Sequence, residues 1–248
     1  NQTAYESLNF VGGQLKAAVS LEPMDYFAWQ ASADLRYRRF YDDPGADDVG
    51  GTASTQARFT LPTRTTITPR LAYAYRYNLG LEATDGSAVD RHDHQLDAGF
   101  HVSQGIADRT GLQADYVYRH PFETSQALLR KLTQSRFALL NLDFLMGGHR
   151  AYLKLKQLLP EGFSILAGIE FRTLEFKGWP ALDADGALTG ADRTDRRLNP
   201  SLTVSWARPV GSVRLDASLT YSFMKQWSNS ADYDTRAHWV GCTVGVDY

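Results

Sequence analysis

Residues 238–248 read HWVGCTVGVDY, and their alternation decides the fold. Val240, Cys242, Val244, Val246 and Tyr248 fall on one side of an extended chain, with Gly241, Thr243, Gly245 and Asp247 on the other. This is the two-residue period of a β-strand lying between an apolar and a polar medium. Terminal residues fray unless neighbouring structure holds them. A strand this regular is therefore expected to be paired, and the first strand of a closed sheet is the expected partner.

The same period recurs upstream. In YFAWQASADLRYRRF (26–40), Phe27, Trp29, Ala31, Ala33, Leu35 and Tyr37 oppose Gln30, Ser32, Asp34, Arg36 and Arg38. RLAYAYRYNL (70–79) sets Leu71, Tyr73, Tyr75 and Tyr77 against Arg70, Arg76 and Asn78, and SVRLDASLTYSFM (212–224) repeats the pattern. Weaker segments lie near 8–20, 52–61, 94–104, 109–119, 134–146, 150–158, 162–176 and 200–208. Together they give about 12 strands, within a range of about 10 to 14, and single-chain bacterial barrels favour an even count.

Tight turns are expected at LEPMD, LPTRT, GIADR, MGGHR, LPEG and ARPVGS, and long polar links at YDDPGADDVGG, EATDGSAVDRHD, WPALDADGALTGADRTDRR and KQWSNSADYD. Long links on one rim and short turns on the other are the mark of a membrane barrel. Five segments fall between the long links near 85 and 187, where two links on one rim require an even number. Either the hairpin near Pro160 or the reading of 122–135 as a loop is at fault, and SQALLRKL is compatible with a short helix.

Composition narrows the function. The 248 residues carry 28 acidic and 26 basic side chains, a formal net charge of -2 and a pI near 6.3, which leaves no basic field for nucleic acid. Thirteen Tyr, twelve Phe and five Trp coexist with a mean hydropathy of -0.36, as strands with one wet face require. No apolar run reaches the roughly 18 residues of a transmembrane helix, which does not bear on strands. The single Cys242 excludes an internal disulfide and reads as a small hydrophobe. No secretory leader is visible at Asn1, so export is inferred from the body of the chain.

A soluble sandwich shares the period, but its strands average about 5–6 residues, whereas many segments here keep one register for about ten, the membrane-spanning length. Tyr37, Tyr77, Tyr118, Tyr221, Phe223 and Tyr248 lie toward the ends of apolar faces, where an interfacial girdle places aromatics. The expected fold is all-β: a transmembrane antiparallel β-barrel, one domain over residues 1–248, in the bacterial outer membrane.

The C-terminal segment, with Tyr248 last and Val246, Val244 and Cys242 at alternate positions, resembles the assembly signal of Gram-negative outer-membrane barrel proteins. The resemblance implies that the barrel assembly machinery recognises the closing strand. The last hairpin, LTYSFMKQWSNSADYDTRAHWVGCTVGVDY, is similar to closing hairpins of the barrels of surface lipoprotein assembly modifiers and exopolysaccharide-export proteins, through Tyr221, Asn229, Ser230, Tyr233, Asp234 and Arg236. That similarity implies translocation or export. GFHVSQG (99–105) resembles the His-x-Ser-x-Gly strand of outer-membrane phospholipases, which implies His101 as base and Ser103 as nucleophile. In this chain the pair is in phase with Asp97, on the polar face, and Gln104 stands where that family has Asn. No catalytic residue is assigned.

The polar face supplies a charged interior: Asp34, Asp97, Asp115, Asp143, Glu170 and Asp216 against Arg36, Arg38, Arg58, Arg70, Arg76, Arg119, Lys154, Lys156, Arg172 and Arg214. The excess of bases favours anions, and Arg36, Arg38, Arg70, Arg76 and Arg214 are the candidate anion contacts, because guanidinium pairs planar anions through two hydrogen bonds. Asp183 and Asp185, near Asp192 and Asp195, are weak metal candidates without the closing glutamate of an EF-hand. Trp227, in the last long link, is a candidate partner contact. No cofactor is expected. The expected partners are outer-membrane lipid, the assembly machinery during insertion and a periplasmic or envelope-complex partner, with no nucleic acid. The expected function is an anion-biased channel or export barrel; the alternatives are a scaffold barrel with an occluded lumen and a phospholipase-like acyl hydrolase.

Overall fold

A computed structural model describes residues 10–41, 47–79, 91–122 and 146–247. These form one antiparallel sheet of eleven strands in sequence order, each strand bonded to its chain neighbours. The strands are β1 (Phe10–Met24), β2 (Phe27–Phe40), β3 (Asp48–Leu61), β4 (Thr65–Asn78), β5 (Arg91–Ala107), β6 (Thr110–Pro121), β7 (Met146–Leu158), β8 (Phe163–Leu182), β9 (Leu188–Val210), β10 (Val213–Ser228) and β11 (Thr235–Asp247). They run from 12 residues in β6 to 23 in β9, beyond the roughly 9–11 that a tilted strand needs to cross a bilayer.

Direct pairing of β6 with β7 resolves the conflict in strand parity. The strand expected over 134–146 lies, apart from Met146, outside the described residues, and nothing intervenes in the sheet between β6 and β7. Four strands, β5 to β8, therefore separate the long links near 85 and 187. Every short turn, at 25–26, 62–64, 108–109, 159–162 and 211–212, falls on one rim, and every connection between an even-numbered strand and the next falls on the other.

Three expected connections differ. MGGHR is the start of β7 and not a turn; there Gly148 holds φ 126, and a Cβ on it would sit 2.2 Å from the Thr173 carbonyl oxygen. The long link WPALDADGALTGADRTDRR is mostly strand, because β8 and β9 run on as a hairpin closed by residues 183–187. The expected pairing of the last strand with the first is absent among the described residues: β11 bonds β10, and β1 bonds β2. Both edge strands run from the long-link rim to the turn rim, so antiparallel closure takes an odd number of further strands between them.

The two faces decide the environment. Buried hydrophobic residues number three among those described, Phe40, Phe176 and Ala181, whereas Leu15 is 70% exposed, Leu35 63% and Val244 74%. The buried side chains are instead polar, among them Asp48, Arg76, Asp93, Gln95, Arg193 and Asp195. A water-soluble core has the opposite arrangement. The outer face is apolar and the inner face charged.

Near the long-link rim the inner face is knitted by ion pairs. Arg38 binds Asp48, Arg76 Nη2 lies 2.9 Å from Asp93 Oδ2, and Arg119 grips Asp97 through two bonds of 3.0 and 2.9 Å. Across the sheet, Arg193 pairs with Asp195, which also accepts from Gln226 Nε2 and Ser228 Oγ, and the Arg193 guanidinium stacks 3.2 Å from the centre of the Tyr233 ring. Arg76 and Asp93 are 4% and 0% exposed, so removing one takes an opposite charge from a buried ion. Arg76→Met is expected to cost about 3 kcal/mol or more, and Arg76→Met with Asp93→Asn less than that. The check is the temperature at which the folded, fast-migrating gel form is lost.

Candidate functional site: an arginine row on the inner face

Antiparallel register places residues directly opposite one another on the same face. One such row crosses most of the sheet: Gln56 on β3 opposes Arg70 on β4, then come Gly99 on β5, Val117 on β6, Arg150 on β7, Arg172 on β8, Arg197 on β9 and Gln226 on β10. Arg150, Arg172 and Arg197 are thus consecutive cross-strand neighbours, and like charges directly opposite are destabilising. Such a row persists only where something offsets the repulsion.

The acids do so in part. Glu170 Oε2 accepts from Arg150 at 3.0 Å, and its other oxygen lies 4.0 Å from Arg172. Arg70 donates to Asp115 at 2.7 Å, and Arg119, beside the row, is held by Asp97. Among the described residues Arg197 finds only a neutral acceptor, the Gln226 side-chain oxygen, at 3.1 and 2.7 Å. Among the described residues five guanidiniums, Arg70, Arg119, Arg150, Arg172 and Arg197, therefore meet three carboxylates, Asp97, Asp115 and Glu170, an excess of two positive charges. Asn199, opposite Glu170, keeps a buried side-chain oxygen with no hydrogen-bond partner among the described residues.

A cavity of about 350 Å³ opens along this row, lined by Arg70, Asp97, Gly99, Arg119, Arg150 and Arg172 among others. Gly99 lets the strands approach there: a Cβ on it would lie 2.2 Å from the Tyr116 carbonyl oxygen. The arrangement offers several forked donors around this cavity, which suits a planar or tetrahedral oxyanion.

Of the five arginines expected to contact anions, only Arg70 belongs to this row. Arg38 and Arg76 are engaged by Asp48 and Asp93. Arg36, between Gln14 and Gly50, has a buried Nε without a hydrogen-bond partner among the described residues. Arg214 is exposed near the turn rim, at the opposite end of β10 from Gln226. Asp143 lies outside the described residues. Arg150 and Arg197 were absent from the expected interior set, Arg197 because TDRR reads as loop and Arg150 because it stands at a strand start; extending the phase of Lys154 and Lys156 backwards finds Arg150.

The remaining candidates sit elsewhere. His101 and Ser103 face inward, with no hydrogen bond between them; His101 Nδ1 lies 3.5 Å from Asp115 Oδ2, a carboxylate already held by Arg70. Trp227 is not in a loop but on β10, on the outer face, with Lys225 Nζ 5.8 Å from its ring centre. Asp183 closes its turn by accepting from the backbone N–H groups of Asp185 and Ala187, at 3.0 and 2.8 Å. Asp195, once grouped with it, is buried on the inner face.

No family model matches the chain, and no curated protein matches it. Among solved structures it is similar to the FrpB iron transporter from Neisseria meningitidis (F5-1 variant, apoprotein form), with a TM-score of 0.52 and 12% identity. The fold class is the transmembrane antiparallel β-barrel. The likeness covers 96% of this chain and 49% of the FrpB chain, so this chain spans about half that length.

Substitution at Gly99 tests the close approach beneath the cavity. Gly99→Ala is expected to destabilise the fold by about 1–3 kcal/mol, as overpacking against a backbone atom does, read as a lowered unfolding midpoint. Gly13→Ala, where a Cβ meets nothing within 4 Å, is the control expected to leave the midpoint unmoved.

Proposed function

We propose that the chain is a barrel of the bacterial outer membrane that passes anionic solutes, with the inner arginine row as its selectivity element. The observation that carries this reading is the consecutive Arg150, Arg172 and Arg197 on neighbouring strands, of which the first two share one carboxylate, Glu170, and the third donates to neutral Gln226. A structural wall gains nothing from stacking like charges; a passage for anions does, because the excess charge raises their local concentration. The fold likeness to an iron transporter supports transport as a class and does not name the solute. In this reading the domain is residues 1–248, outer-membrane lipid surrounds it, the barrel assembly machinery inserts it, and an envelope partner works with it in export.

The scaffold reading draws on one observation of its own, the buried pairs Arg76–Asp93 and Arg193–Asp195, which fill part of the interior near the long-link rim. Conductance separates the two. Folded protein in planar bilayers is expected to show steady single-channel currents with anion preference. Arg150→Glu with Arg172→Glu should abolish or reverse that preference, and Glu170→Gln should strengthen it, both read as shifts in reversal potential across a salt gradient. Silence from inserted protein would reject the autonomous channel and favour the scaffold.

A further inference from the structure

The excess of positive charge does not end at the arginine row. On β7 the residues that face inward after Arg150 are Tyr152, Lys154 and Lys156. From Arg150 to Lys156 is about 20 Å along the strand, so basic groups run down the wall as well as across it.

The two lysines have no acid directly opposite them. Lys154 stands between Gln113 and Gly168, with Ser103 and Ser201 one strand further out. Lys156 stands between Gly111 and Leu166, with Gly105 and Thr203 beyond. Neither makes an ion pair among the described residues. Lys154 Nζ lies 4.5 Å from the centre of the Tyr152 ring, and that ring reaches over Gly168, where a Cβ would sit 3.0 Å from the Tyr152 hydroxyl oxygen. Tyr152 thus stands between Arg150 and Lys154 without neutralising either.

Three cavities among the described residues follow this line, and each shares a cation with the next. The first, at the arginine row, is bounded by Arg70 and Arg150. The second, of about 270 Å³, takes in both of these with His101, Tyr152 and Lys154. The third, of about 390 Å³, takes in Lys154 and Lys156 with Gln104 and Gln113 and reaches the turn rim. The acids along the line are already engaged: Asp97 by Arg119, Asp115 by Arg70, Glu170 by Arg150 and, at the turn, Asp108 by Arg64.

Selection of small anions needs excess charge at one depth only. Two free anions in adjoining cavities would share Arg70 and Arg150 and repel each other, so the second would bind less well than the first. Groups tied into one chain carry that repulsion before they bind, and once one has docked the others arrive at high effective concentration.

We propose that the inner wall from β4 to β8 is an extended track for a linear polyanion, a chain of repeated phosphate or carboxylate groups. The chain lies along Arg150, Lys154 and Lys156, with Arg70, Arg119 and Arg172 around its end nearer the long-link rim. This substrate class rests on the anion-passage reading of the same face.

Binding is measured by titration calorimetry on folded protein in zwitterionic micelles at fixed ionic strength. The probes are inorganic phosphate, tripolyphosphate, a linear polyphosphate longer than about 20 Å and an oligogalacturonate of the same reach. Affinity per chain is expected to rise with length, a long chain binding about a hundredfold tighter than phosphate; the tighter of the two long chains names the oxyanion. Lys154→Gln with Lys156→Gln should weaken the long chain about tenfold or more, toward tripolyphosphate. Arg196→Gln with Arg208→Gln, which removes the same charge from the outer face, should keep the length dependence, and the folded gel form confirms each variant's barrel. Affinity that does not rise with length would overturn the proposal, as would a length dependence that survives the lysine changes or is lost equally in the outer-face variant. Anion-selective conductance without length dependence would overturn the track and leave the channel. Silence in bilayers with the length dependence intact would support the track and remove the channel.

Discussion

Backbone hydrogen bonding between neighbouring strands is the constraint on which everything else here depends. In hydrocarbon no water is present to satisfy an unpaired N–H or C=O, so each spanning strand must give its backbone to two neighbours. That pairing fixes register, and register fixes which side chains share a face. Because the side-chain period is two, a slip of one residue would carry Leu71, Tyr73 and Tyr75 inward and Arg70, Ala72 and Arg76 into lipid. The inverted distribution, with Leu15 and Val244 exposed and Asp93 and Asp195 buried, is the consequence.

The same register patterns both faces of the sheet. Inward, it lines Arg150, Arg172 and Arg197 across three adjacent strands, where Glu170 neutralises the row incompletely. Outward, it brings Tyr77 opposite His92, Tyr75 opposite His94 and Tyr118 opposite His149. The inner charges are worth most as a group, because the repulsion that Glu170 leaves in the row is eased by an anion or by water. Each outer imidazole has its own tyrosine hydroxyl at Nδ1.

Much of the fold was legible in the sequence for a physical reason. Alternation survives in every strand that separates lipid from an aqueous or polar interior, so segments such as 26–40, 70–79 and 212–224 declared themselves. What failed was local. WPALDADGALTGADRTDRR looks like loop because its strands extend past the apolar zone, where no outward hydrophobes mark the period. MGGHR looks like a turn because two glycines stand together, yet Gly148 is there to let β7 pass the Thr173 carbonyl. The site was less legible than the fold, because facing arginines are a property of pairing and not of any one segment. Arg38 and Arg76 have the right residue type and the right phase but are consumed by Asp48 and Asp93, partners that only the register reveals.

The central claim is that the face carrying the arginine row meets water while the opposite face meets lipid. Two positions one strand apart test it: Val117, inward and opposite Arg150, and Leu153, outward and 45% exposed. Each is replaced by cysteine in a Cys242→Ala background, and the folded protein is inserted into liposomes and treated with a charged, water-soluble thiosulfonate or with a lipid-soluble maleimide. The account predicts that Val117→Cys reacts with the charged reagent and Leu153→Cys only with the lipid-soluble one. The reverse pattern, or equal reaction of both with the charged reagent, would contradict it.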